Sequence, residues 1–176
     1  MKPDTLFLMH LILGYVAWLL CFGTYILPRL RVMDRVAVHR VIATLHSFRF
    51  FGLVFILPGV VGPDLPGRFA TFAAYGDFAT GILALLALLT VRASALFWSF
   101  VIAFNLVGTA DLALDYYHAS MAGLPALAGQ LGAAYPIPVL YVPILMITHG
   151  YAIHLLVRSP PALALARSSQ NAAEGG

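Results

Sequence analysis

Lysine is nearly absent from this chain. Lys2 is the only one and it precedes the first apolar stretch, so a retinal Schiff base has no site. Cysteine is as rare: Cys21 stands alone, which excludes an intrachain disulfide. Charge of either sign is scarce. Only 10% of the 176 residues are charged while 61% are apolar, against about a quarter charged in ordinary soluble domains. The mean hydropathy of +0.92 points the same way. No run alternates apolar with polar over about ten residues, which argues against a membrane β-barrel. No Ser-His-Asp arrangement, phosphate loop or cysteine-rich metal motif appears. The helical zinc signature H-E-x-x-H is missing too, and "HGYAIH" (149–154) has the wrong spacing to set both histidines on one face. A protein-held metal ion is therefore not expected.

What is there is long apolar sequence. A helix needs about 20 apolar residues to cross the hydrocarbon, and five segments meet that: 5–27, 41–62, 69–91, 95–117 and 134–157. The expectation is an all-α polytopic membrane protein, five transmembrane helices in a single bundle over residues 1–158. The tail 159–176, opening on Pro160-Pro161 and small and polar afterwards, reads as a disordered cytoplasmic tail. The first stretch has only Lys2 before it and no small-residue cleavage site after it, so it reads as a retained helix rather than a signal peptide. "WLLC" likewise lacks the small residue that a lipoprotein cleavage site places before its cysteine.

The net charge of +3 is no nucleic-acid signal, because the basic residues sit in short breaks between apolar stretches. There they set orientation. Arg29, Arg31, Arg35, Arg40, Arg92, Arg158 and Arg167 fall on one side; Lys2 and Arg68 fall on the other. This bias predicts the N-terminus outside and the C-terminus in the cytoplasm. The expected partner is the lipid bilayer, that of a bacterial inner membrane, with a homo-oligomer or larger membrane complex left open and nucleic acid not expected.

Against that background a few polar residues lie too deep. At 1.5 Å per residue, Arg49 is roughly 12 Å in from the cytoplasmic side, Asn105 roughly 15 Å and Asp77 roughly 18 Å. Arg49 and Asp77 are thus a predicted ion pair, with Asn105 as hydrogen-bond partner. An isolated charge at that depth costs at least about 2.5–3.5 kcal/mol, and a buried pair need be no more stabilising than leucines. Function is the stronger reason to keep it. His46, three residues before Arg49, shares its face, and His149 arrives at nearly the same depth from the other direction. Pro138, Tyr141 and His149 form one stripe of the last helix, whose outer half, with Pro136 and Pro143 as well, is expected to kink. Further out lie His10, Asp111 and Asp115. Asp115 is expected at the water interface, and Tyr116 and Tyr117 in an aromatic belt. Gly14, Ala17, Cys21 and Thr24 suggest a close-packing stripe on helix 1, and Gly76 and Gly81 a close approach beside Asp77.

The first functional expectation is a site for a small amphipathic or anionic ligand, built from His46, Arg49, Asp77, Asn105, Asp111, Tyr141 and His149. Phe48, Phe50, Phe51, Phe78 and Phe104 are its candidate walls. The second is haem b, held by His46 and His149, with Arg40 and Arg158 for the propionates. The third is a conduit for protons or a small solute along a ladder from His10 and Asp111 through Asp77 and Arg49 to His46 and His149. No inverted repeat supports a standard secondary transporter. The fourth is an accessory subunit, its polar groups serving as glue between helices. Whether the chain is an enzyme stays open.

One resemblance belongs to helix 1. His10, Trp18 and "YILPRL" (25–30) resemble the first helix of the small helical protoporphyrinogen oxidases and related copper-resistance-type membrane proteins. The resemblance covers about one helix. Beyond Lys2 there is no lysine to match the basic residues that family uses deeper in, so the activity is not carried over.

Overall fold

The structure is a computed structural model that describes residues 1–158; the expected tail lies outside the described residues. These are helical, without strands. α1 runs Pro3–Arg31. Pro3 stands in its first turn, where a missing N–H costs nothing. Residues Phe22–Ile26 widen into a π turn just ahead of Pro28. That widening relieves the clash a proline ring makes with the carbonyl four residues back. α2, Arg35–Ser47, is capped by Asp34, whose side chain accepts from Ala37 N at 2.9 Å. A 3-10 helix, Phe48–Ile56, follows directly. α3 is Gly67–Leu89, α4 Ser94–Met121 and α5 Ile137–Arg158. α5 opens in a second π turn, Ile137–Tyr141, in the half where the prolines predicted a break.

Four helices, α1, α3, α4 and α5, are long and apolar enough to cross a bilayer, which marks the chain as a membrane protein. The stretch expected as a second continuous helix over 41–62 departs from that form. Its α part ends at Ser47, and the backbone turns extended at Leu57. Gly52 weakens the α form, and Pro58 disfavours helical geometry at Leu57. Just before Gly52 the chain is drawn against α3, where Gly81 lets the backbone approach: a Cβ there would lie 2.9 Å from Phe50 N.

Three contacts fix how the segments run. His10 Nδ1 meets the Tyr135 hydroxyl at 2.8 Å, setting the first turns of α1 beside the start of α5. Gly62 N donates to Gln130 O at 2.7 Å, joining the two loops at that same end. Arg35 donates to Leu155 O at 3.1 Å, pairing the start of α2 with the close of α5 at the opposite end. The first is called the N-terminal end below. The second is the arginine-rich end, with Arg29, Arg31, Arg40, Arg92 and Arg158 exposed. Each end has its own apolar core. Phe7, Phe55, Phe69 and Leu131 fill the first; Ile42, Phe97, Trp98 and Phe104 fill the second.

α1 is the peripheral helix. Its buried positions are Phe7, Gly14, Phe22 and Leu30; of the expected small-residue stripe only Gly14 is buried, and Ala17 and Thr24 are exposed. It docks on the irregular start of α5. Trp18 Nε1 donates to Leu140 O at 2.8 Å. Gly14 lies against the Val139 carbonyl, which would ordinarily accept from the residue that is Pro143 and has no N–H to give. Carbonyls released by prolines are tolerated in a membrane where protein covers them, and Gly14 of α1 packs over this one.

Candidate functional site

Between the two cores sits Arg49, with no exposed surface at all. The 3-10 helix carries it and α3, α4 and α5 surround it. Its Nε donates to Asp77 Oδ1 at 2.6 Å and its Nη2 to Asp111 Oδ2 at 2.5 Å. Nη1 reaches Gly108 O and His149 Nε2, each at 3.4 Å. The predicted pair with Asp77 is present, and Asp111 is a second carboxylate on the same guanidinium. Small residues make room for both. A side chain at Gly52 would collide with Asp77, and one at Gly76 with Asp111.

Asn105 is not the partner of that pair, as expected, but of the histidine. Its amide donates to Val101 O at 2.8 Å, which turns its oxygen to His149 Nδ1 at 2.9 Å. His149 Nδ1 therefore carries the hydrogen and Nε2 accepts from Arg49. On α2, His46 Nε2 lies 3.0 Å from the Thr148 hydroxyl. That hydroxyl donates to Ile144 O at 2.8 Å, so the His46 hydrogen is on Nε2 and its buried Nδ1 has no partner. Tyr141 stands apart from the network: its hydroxyl donates to Leu45 O at 2.8 Å, tying α5 to α2.

The depth match between His46 and His149 is real, but it does not make a haem site. The two rings pack directly against each other, tilted by 45° with centroids 4.0 Å apart. A flat macrocycle cannot enter that gap, and three of the four ring nitrogens already face protein groups. Haem b on these residues is thus a misfit. Among the described residues no group of three or more His, Cys, Asp or Glu could hold a metal ion.

A cavity of about 250 Å³ lies on the N-terminal side of Arg49. Phe7, Leu11, Phe55, Phe69 and Ile137 wall it, and Asp77, Asp115 and Tyr116 supply polar groups. The expected aromatic walls are elsewhere. Phe48, Phe50, Phe51 and Phe78 are exposed on the outside of the bundle, and Phe104 packs against His46. Asp115 is partly buried, and its Oδ1 is enclosed without a hydrogen-bond partner. Tyr116 bonds the Tyr15 hydroxyl of α1 at 2.7 Å and so closes one edge of the cavity. Tyr117 is exposed. His10, engaged with Tyr135, borders a separate hollow under the loop at 126–132.

The sequence reading placed Asp111 in the site but missed its ion pair with Arg49, the cavity beside it and His39. The last is completely buried on α2 against the edge of Trp98, 5.3 Å between centroids.

The family model described as "Domain of unknown function (DUF8737)" matches residues 6–157. No curated protein and no solved structure matches the chain. The chain belongs to that family.

Proposed function

We propose, for this member of that family, a bacterial inner-membrane protein that crosses the bilayer five times, N-terminus outside, and binds a small apolar molecule bearing a cationic head. The fifth crossing is α2 with its 3-10 extension. Its 13 α and nine 3-10 residues, at about 1.5 and 2.0 Å each, together exceed a hydrocarbon core of about 30 Å. The exposed arginines at one end favour that end as cytoplasmic. The cavity then opens in the outer half of the membrane.

One observation carries the ligand class: two carboxylates, Asp77 and Asp115, line the cavity beside the neutral hydroxyls of Tyr116 and Ser120, and no basic side chain lines it. The anionic ligand suggested by Arg49 alone fits less well, because that guanidinium is already held by two aspartates and sealed from solvent. The volume sits just under the roughly 300–1,000 Å³ of drug-sized sites, so the ligand is small.

Benzyltrimethylammonium, its neutral carbon isostere neopentylbenzene and benzylsulfonate test this reading in detergent by calorimetry. The cation is expected to bind about tenfold tighter than the isostere, a difference of about 1.4 kcal/mol. Asp115→Asn should erase the preference. Equal affinities, or a preference for the sulfonate, would overturn the reading.

A further inference from the structure

The network around Arg49 is out of balance. Two carboxylates share one guanidinium, Arg49 uses only Oδ1 of Asp77, and His149 faces Arg49 as a neutral acceptor. One negative charge is left over in a place where an isolated charge is costly, and an ionised Asp115 would make it two. A third carboxylate, Asp115, stands one helical turn beyond Asp111 on α4, a spacing at which like charges repel. Its enclosed Oδ1 meets no donor.

We infer that the empty cavity stores one exchangeable proton on Asp115, and that a cation entering the cavity releases it. The inference rests on the cation-binding reading above. The step balances in charge: the O–H bond of the carboxyl breaks, the proton leaves to water through the cavity, and the cation takes its place beside the carboxylate.

The groups facing Asp115 support this placement. Its own helix presents Asp111, Tyr116 and His118, the last of which packs its ring on Phe72. α3 presents Asp77, the 3-10 helix Arg49 through the two aspartates, and α1 Tyr15 through Tyr116. The wall contributed by α5 is apolar: Ile137, Pro138 and Val142. Nearly everything charged around Asp115 is thus negative or already neutralised. Of the other unpartnered imidazole nitrogens, those of His39 lie against Trp98 in the far core, Nδ1 of His118 belongs to a ring packed on Phe72, and Nδ1 of His46 is completely buried beside His149, on the Arg49 side of the network. A proton there would add positive charge beside the guanidinium instead of relieving the carboxylates.

Exchange makes binding stronger as pH rises, by up to about tenfold per pH unit where one proton is displaced. Benzyltrimethylammonium is the probe, because it has no proton of its own. Titration of the full chain in weakly buffered detergent with a pH-indicator dye is expected to release about one proton per cation bound. Binding with no proton release and a pH-independent affinity would overturn the exchange and leave the cation site standing. No binding at all would overturn both. Infrared spectroscopy of the empty protein supplies a measurement that needs no ligand. The carbonyl band of a neutral carboxylic acid is expected at neutral pH and should vanish in Asp115→Asn, whose helical circular dichroism reports folding. Absence of that band, or its persistence in the folded variant, would overturn the stored proton.

Discussion

Arg49 and His39 lie ten residues apart on one continuous stretch of helical chain, and neither exposes any surface. Their surroundings are opposite. Every nitrogen of Arg49 has a partner, two of them carboxylates, gathered from three other helices. Neither ring nitrogen of His39 has one, and its neighbour is the edge of Trp98. Arg35 lies over the face of that same indole, 5.2 Å from its centroid. A permanent charge enters the interior only with its counter-charges, whereas an imidazole can enter as a neutral ring and pack as an aromatic. Burial alone therefore does not distinguish a polar centre from core packing; the partners do.

The comparison can be broken first at Arg49. Arg49→Ala leaves two buried carboxylates without a counter-charge and is expected to lower stability by about 3–5 kcal/mol, read from unfolding in detergent. Adding Asp77→Asn and Asp111→Asn should restore much of the loss. Simple additivity of the three changes would show that they do not form one network. A smaller effect is expected from the glycines that seat the aspartates. At Gly76→Ala the new Cβ would come within 2.5 Å of the Asp111 carboxyl carbon, and overpacking of this kind costs about 1–3 kcal/mol. Gly52→Ala should act likewise on Asp77, and wild-type melting of either variant would show the seats to be loose. Trp18→Phe removes one hydrogen bond between α1 and α5 and should cost about 1 kcal/mol. At the far end of the scale, His39→Leu, close to histidine in volume, should change stability by less than about 1 kcal/mol, since no hydrogen bond is lost. A loss as large as that at Arg49 would mean His39 has polar partners and that the contrast is false.

The Arg49–Asp77 pair was legible because charge in an apolar run is rare and helix depth is simple arithmetic. Asp111 escaped the same arithmetic through a misplaced boundary. α4 extends to Met121 instead of 117, so Asp111 sits ten residues before its end, just as Asp77 sits ten residues after the start of α3 at Gly67. Counting both from the N-terminal end would have matched them. Asn105 was matched by depth alone, and depth does not say which way a side chain faces on its helix. The break in the second stretch had a signal in Gly52 and Pro58, yet hydropathy ignores backbone geometry. The cavity had none, since it is bounded by five elements remote in sequence.

The seam between α1 and α5 joins the first helix of the chain to its last. Until residues near 140 have been made and inserted, the indole hydrogen of Trp18 lacks its Leu140 acceptor, and only when α5 arrives can the two helices close that hydrogen bond. Assembly of the bundle is thereby coupled to completion of its chain: a prematurely terminated product would present an unclosed flank, a ready mark for membrane quality control.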